Sequence, residues 1–144
     1  MTSKVKNTLL LLVIIGVATV YSLSGKNIGM NLDFGETSFA IRAGDYSEII
    51  PYSSIESIEL VPTPESGNMI SGAETRRLRY GTWRNDTWGE YRQCINTETN
   101  QCIQLSLSEN AVYVLNYQDD NSTVSLFNML TELLQDKNCR GDTA

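Results

Sequence analysis

The chain has 144 residues, with 11 lysines and arginines, 17 aspartates and glutamates and no histidine, so its net charge at pH 7 is −6. The absence of histidine excludes Ser-His-Asp and Cys-His catalysis and metal sites with histidine ligands. The acidic balance argues against a broad nucleic-acid-binding surface, and the length favours a single folded domain.

The N-terminal region is the most apolar part of the chain. Residues 1–7 form a basic tail, and residues 8–25 contain no charged side chain and are rich in leucine, valine and isoleucine. As a helix, residues 8–25 would span about 27 Å, close to a hydrocarbon core of about 30 Å. We therefore expect a transmembrane anchor. The alternative is a signal peptide cleaved near Ser24, which would release a secreted protein.

The charges on either side of this segment predict its orientation. Lys4 and Lys6 precede it, whereas only Lys26 follows it before the acidic residues Asp33 and Glu36. The positive-inside rule then places the N-terminus in the cytoplasm and the following domain outside the cell membrane. We expect a linker at residues 26–31, a folded domain at residues 32–136 and a polar tail at residues 137–144.

The folded domain begins with a series of short strands. Phe39 and Ile41 alternate with less apolar residues, and a second apolar series runs from Ile49 to Leu60. Further along, residues 103–107 alternate strictly between apolar and polar side chains, which indicates a strand with one buried face. Residues 111–115 are apolar at every position and therefore predict a central strand.

The pattern changes to a helical period near the C-terminus. Asp119 and Asp120 precede a helix predicted over residues 123–136, and we interpret them as first-turn charges rather than as a cation site or an acid–base pair. The apolar face of this helix consists of Val124, Phe127, Leu130 and Leu134, with Leu126 and Leu133 alongside. Many strands followed by one helix predict a mainly β fold with a strongly bent sheet or partial barrel.

The cysteines bear on the redox environment of the domain. Cys94 and Cys102 flank a turn-rich stretch, which predicts a hairpin that would place the two thiols opposite each other and allow a disulfide. A disulfide would agree with an extracytoplasmic location. The alternative is that both are unpaired and act as small hydrophobic residues in a cytosolic hairpin. Cys139 is either free or paired with another chain, and too few soft ligands remain for a metal site.

Three features resemble the bacterial PH-domain (pleckstrin-homology-like) families, which are often tethered to membranes. They are residues 50–60 (IPYSSIESIEL), the glycine-containing segment 79–91 (RYGTWRNDTWGEY) and the C-terminal helix. The resemblance implies a partly open barrel of two bent antiparallel sheets, capped by the helix, that binds rather than catalyses. It does not extend to phosphoinositide recognition, because Arg42 stands alone beside Asp45 and Glu48.

Positive charge and aromatic rings are concentrated between residues 76 and 92. Arginine beside aromatic rings suits anionic ligands and protein interfaces. Alternatively, the aromatic residues pack on the barrel and the arginines are solvated or paired with nearby Glu74, Asp86 and Glu90. The candidate binding residues are Arg76, Arg77, Arg79, Trp83, Arg84, Trp88 and Arg92.

These features predict a single-pass membrane protein with a non-catalytic, PH-like binding module, acting as an accessory or scaffolding protein of the bacterial cell envelope. Its partners would be the membrane, through residues 8–25, and an unidentified protein. No catalytic residue, metal or cofactor is predicted. The alternatives are a secreted binding protein and an enzyme that acts on an anionic substrate through the arginine-containing segment.

Overall fold

The computed structural model of the protein describes residues 29–65 and 67–141, with side chains up to Asn138. The predicted basic tail and anchor, and most of the linker, lie outside this part. Two 3-10 turns, Tyr52–Ser54 and Ser108–Asn110, interrupt the strands. The strands and the helix are β1 (Met30–Phe34), β2 (Ser38–Ala43), β3 (Tyr46–Pro51), β4 (Ile55–Pro62), β5 (Asn68–Glu74), β6 (Leu78–Asn85), β7 (Gly89–Asn96), β8 (Gln101–Leu107), β9 (Ala111–Leu115) and α1 (Asp120–Gly141).

The strands form two sheets, neither of which is closed. The small sheet has the order β1-β2-β3, and the large sheet has the order β4-β8-β9-β7-β6-β5. The mainly β fold with one C-terminal helix is therefore confirmed. The prediction that both sheets are antiparallel is wrong at one position, because β9 runs parallel to β7, with Gln93 beside Val114 and Cys94 beside Leu115.

The main core lies between the two sheets and α1. From the large sheet it receives Ile103, Leu105 and Leu107, which are nearly inaccessible to solvent, as the alternation in β8 predicts. The small sheet contributes Phe39 and Ile41. As predicted for a central strand, β9 is paired on both sides, with β8 and with β7.

Helix α1 covers one side of the main core. It begins at Asp120 and ends at Gly141, so most of the predicted polar tail is helical. The Asp119 side chain caps the helix by accepting a hydrogen bond of 2.7 Å from the Ser122 N–H. The buried side chains are centred on Leu126, Leu130 and Leu133. The rest of the predicted face is less buried.

The large sheet has to curl because of the connection between β4 and β5. These strands form its opposite edges, yet only residues 63–67 join them. The outer strands of a flat six-stranded sheet are about 24 Å apart, whereas the six Cα–Cα steps from Pro62 to Asn68 span at most about 22 Å. In this sheet β4 and β5 run in the same direction, so the connection leads from the end of one edge strand to the start of the other. The sheet must therefore curl and twist until these two strand ends meet.

Two glycines allow β5 to lie close against β6 in the curled sheet. Gly72 and Gly81 are direct partners in the ladder, with φ angles of +127° and +106°. A Cβ atom on Gly81 would overlap the carbonyl oxygen of Ser71, and one on Gly72 would overlap that of Tyr80. Only glycine satisfies both the backbone angle and the close approach.

The curl encloses a second, smaller core on the other face of the large sheet. Its buried members are Trp83, Tyr91, Ile95, Cys102 and Val114. All of them belong to strands of the large sheet, and neither the small sheet nor α1 contributes to this cluster. Within the described residues, these side chains are therefore enclosed by the curl of the large sheet.

Replacement of Gly81 by alanine should destabilise the protein by about 3 kcal/mol or more, because the added methyl group meets backbone that cannot move without separating β5 from β6. Gly89→Ala is the matched control: Gly89 also has a positive φ, +69°, but a Cβ there meets open space. We expect the control to cost about 1 kcal/mol. Urea unfolding followed by tryptophan fluorescence measures both, and equal losses would contradict the role assigned to the Gly72–Gly81 contact.

Candidate functional site

The predicted arginine and aromatic residues do not form one surface. Because side chains alternate along β6 and β7, Arg79 and Trp83 lie on the face of the second core, whereas Arg84 and Arg92 lie on the opposite face. Trp88 lies in the turn between these strands and packs against Tyr91. The remaining two candidates, Arg76 and Arg77, are exposed in the turn between β5 and β6.

Four of these arginines contact carboxylates. The pairs of Arg77 with Glu98 and of Arg84 with Glu90 are exposed, with distances of 3.5 Å each. Exposed pairs of this kind contribute about 0–1 kcal/mol. Pairing of Arg79 with Glu74 and of Arg84 with Glu90 agrees with the alternative interpretation of this segment. The four pairs are Arg77–Glu98, Arg79–Glu74, Arg84–Glu90 and Arg92–Glu48.

Arg92 joins the two sheets. It pairs with Glu48 of β3, and its guanidinium lies 5.8 Å from the centre of the Tyr113 ring. Beside it, the hydroxyl groups of Tyr46 and Tyr113 are 3.0 Å apart, and the rings of Tyr46 and Tyr80 stack. Burial raises the pKa of Tyr113 well above its usual value. This arrangement assigns Arg92 to contact between the sheets.

Arg79 is in a different environment from the other arginines. Only 9% of its side chain is exposed, and its guanidinium lies 5.3 Å from the centre of the Trp83 ring. Its Nη2 atom donates a hydrogen bond of 3.3 Å to Glu74 Oε1. The Nε and Nη1 atoms are buried and have no hydrogen-bond partner.

Two neighbours of Arg79 also have buried polar atoms without a hydrogen-bond partner. The Tyr91 hydroxyl and both amide atoms of Gln93 are buried without a partner. Burial raises the pKa of Tyr91, while the positive charge of Arg79 and the side chains of Asn85 and Gln93, which approach its hydroxyl without the geometry of a hydrogen bond, lower it. Arg79, Tyr91 and Gln93 therefore lie close together and form a polar cluster within the second core. We call these three residues the inner polar cluster.

A groove with a volume of about 810 Å³ opens at the mouth of the curled sheet. One wall consists of residues 61–65 with Gly67 and Asn68, and the other is the turn from Asn85 to Gly89. Trp88 lines the groove, and its ring meets the Tyr91 ring edge-on at a centroid distance of 5.1 Å. Trp88 thus lies between the groove and the inner polar cluster.

Sequence reasoning did not identify Gln93 as a site residue, although a signal was present. Gln93 lies between Tyr91 and Ile95 on an otherwise apolar face of β7. A polar side chain at that position predicts either a buried hydrogen-bond network or a binding site. The three groove-lining amides, Asn68, Asn85 and Gln104, carried no signal that distinguishes them from ordinary surface residues.

The predicted hairpin between Cys94 and Cys102 is wrong, because β9 lies between β7 and β8. Cys94 faces the main core and Cys102 faces the second core, and both are free thiols. Two strand spacings, about 10 Å, exceed the reach of a disulfide, so the disulfide that depended on this hairpin is not formed. Burial raises the pKa of Cys94 to about 12 and that of Cys102 to about 11. The Cys139 side chain is outside the described part.

The acidic pair before α1 has a structural role. The Asp120 carboxylate accepts hydrogen bonds of 2.9 and 3.1 Å from the N–H groups of Asn100 and Gln101, while Asp119 caps the helix. Within residues 29–65 and 67–138, no group of three or more acidic residues and cysteines is arranged to hold a metal ion.

No helix in the described part is long and apolar enough to span a membrane. The predicted anchor, residues 8–25, precedes that part.

The sequence matches no protein-family model, and comparison with curated proteins and with solved structures gave no significant match.

Cys94 and Cys102 should both react with a thiol reagent only after unfolding, and without any reductant. Their protonated, buried state protects them at pH 8, since it is the thiolate that reacts. The experiment uses the Cys139→Ser variant, so that only these two thiols are counted. Two labelled thiols in urea are expected; a protein that needs a reductant before labelling would contradict the structure.

Proposed function

We propose that the protein is a membrane-anchored, non-catalytic binding module of the cell envelope. Residues 8–25 would hold it in the cytoplasmic membrane, with the N-terminus inside and the folded domain outside. This part of the proposal is supported by the apolar sequence and by the lysines at positions 4 and 6.

The fold is further proposed to be a variant of the PH-like architecture. Its support is the pairing of a small antiparallel sheet with a larger curled sheet and a C-terminal helix that packs between them on the main core. The parallel pairing of β7 with β9 departs from the arrangement that the resemblance implies.

The observation that carries the binding proposal is the free edge of β5. This strand ends the large sheet, so one side of its backbone has no partner strand in the described part. Met69 and Ile70 are 52% and 48% exposed, and the strand contains no lysine or proline that would obstruct pairing. An extended segment of a partner protein can add to such an edge through backbone hydrogen bonds.

Two features give this edge selectivity. The ladder shifts register between Met69 and Ser71, which limits regular pairing to a short segment. In addition, Gly67 and Asn68 at the start of β5 line the groove, so side chains of an added strand would reach it. The arginines are less suited to this role, because four of them already contact carboxylates.

The proposed orientation predicts that alkaline phosphatase fused after Ala144 is active, because the enzyme needs an oxidising, extracytoplasmic environment. Replacing Lys4 and Lys6 by glutamate should lower this activity and raise that of a cytoplasmic reporter at the same position. Mass spectrometry of the mature chain is the second measurement. A chain that starts at Gly25 would contradict the anchor and support the secreted alternative.

The proposed edge predicts that a photo-crosslinking residue at position 69 captures a protein partner in native membranes. Position 49 is the matched control, because Ile49 is 65% exposed but belongs to β3 of the small sheet. Replacing Ile70 by lysine should lower the yield of the adduct several-fold. Equal adducts from positions 49 and 69, or a yield that Ile70→Lys leaves unchanged, would contradict binding at β5.

A further inference from the structure

The inner polar cluster is unusual within this protein. Other buried polar side chains, such as Asn96, Asn116 and Thr123, make hydrogen bonds. In the described part, the buried side-chain nitrogen and oxygen atoms without a partner all belong to Arg79, Tyr91 and Gln93. Burying polar groups without partners opposes folding, so a cluster of five such atoms requires an explanation.

The ladder places the three side chains on one face of two neighbouring strands. Tyr91 is paired with Trp83, Gln93 with Gly81, and the next pair on this face contains Arg79. Because Gly81 has no side chain, the Gln93 amide has no side-chain neighbour directly across the ladder on the β6 side, and its neighbour on the β9 side, Val114, is apolar. The unpaired atoms of the cluster are therefore gathered around one place rather than spread through the core.

The cluster contains more donors than acceptors. The free Nε–H and Nη1–H groups of Arg79 and the amide nitrogen of Gln93 can only donate, and the buried Tyr91 hydroxyl remains protonated because burial raises its pKa. The only atom of the cluster restricted to accepting is Gln93 Oε1. A donor-rich site next to a guanidinium suits an oxyanion, which accepts several hydrogen bonds and carries negative charge.

Glu74 does not occupy the free hydrogen-bond donors of Arg79. It contacts only Nη2 of Arg79, and 48% of its side chain is exposed, so water screens its charge. Arg79 is held against the Trp83 ring, which fixes the guanidinium without occupying its remaining donors. The Arg79 guanidinium is therefore held in place, but its positive charge is only partly neutralised by Glu74.

The groove provides a route to the cluster. Asn85 and Trp88 line the groove and also adjoin Tyr91, the outermost member of the cluster. Trp88 lies in the turn before Gly89, and a Cβ atom added at Gly89 would meet open space. Movement of this one side chain would connect the groove with Tyr91 and, behind it, with Arg79 and Gln93.

We propose that Arg79, Tyr91 and Gln93 form an internal binding site for an oxyanion group, either a carboxylate or a phosphate, which enters from the groove past Trp88. Arg79 and Gln93 donate to the anion from inside, and the Tyr91 hydroxyl donates from the side of the groove. This site is separate from the β5 edge and does not require the partner protein proposed above.

The test is thermal unfolding of the full chain in a nonionic detergent, at constant ionic strength, with acetate, inorganic phosphate or glycerol phosphate replacing chloride. At ten times the dissociation constant, the effective anion should raise Tm by about 5 °C. Acetate and the two phosphates distinguish a carboxylate from a phosphate ligand, and glycerol phosphate tests a lipid-headgroup source. No rise in Tm with any of the three would overturn the proposal.

Two variants make the result specific to the cluster. Gln93→Leu removes two unpaired polar atoms, so it should raise Tm without anion and abolish the anion effect. Arg79→Met should also abolish the effect, whereas the control Arg42→Gln, at an exposed arginine of the small sheet paired with Asp33, should preserve it. An anion effect that survives in Gln93→Leu, or a fall in the Tm of that variant, would overturn the proposal. Crosslinking at position 69 is measured separately. Partner binding at the β5 edge and anion binding at the inner polar cluster can therefore each be contradicted without the other.

Discussion

The short connection between β4 and β5 constrains the rest of the large sheet. Five residues cannot join the opposite edges of a flat six-stranded sheet, so the sheet curls, and Gly72 and Gly81 provide the close backbone contact that the curl needs. In the part of the chain that the structure describes, the second core is enclosed by this curvature, since neither the small sheet nor α1 belongs to the cluster around Trp83 and Tyr91. The groove is the space that remains where the two edges approach each other. The curl imposed by the short connection therefore produces both the second core and the groove of the candidate site.

A second constraint decides the strand order. The Asn96 N–H donates to Asn116 Oδ1 at 2.6 Å, and Asn116 Nδ2 donates to the Asn96 carbonyl oxygen at 3.0 Å. These buried hydrogen bonds hold the end of β7 beside the residues that follow β9. Asp120 accepts hydrogen bonds from the backbone at the start of β8, which ties that strand to the beginning of α1. Because both ends are held in this way, β9 rather than β8 becomes the neighbour of β7, and their pairing is parallel.

This explains which features the sequence could predict. The alternation in β8, the apolar run of β9 and the helical period of α1 are local patterns, and the structure confirms all three. The pairing of β7 depends on two asparagines twenty positions apart, and no local pattern indicates that they meet. The assumption of a hairpin between Cys94 and Cys102 failed for this reason. The arginines were predicted to form one site because they are close together in the sequence. Side chains alternate between the two faces of a strand, however, so Arg79 and Arg92 lie on opposite faces of the large sheet.

The two sets of buried polar groups affect the protein in opposite ways. The hydrogen bonds of Asn96 and Asn116 are satisfied, so these residues specify one strand order at little cost in stability. Arg79 and Gln93 leave buried atoms unpaired, and each such group costs about 1–3 kcal/mol. Apolar residues of similar size at these two positions would fill the same space and stabilise the sheet. Natural proteins keep unpaired buried polar groups mainly at functional sites. The cluster that contains Arg79 and Gln93 lies beside the groove. The proposed anion site accounts for this cost on the second-core face of the large sheet, and it is separate from the β5 edge that is proposed to bind a partner.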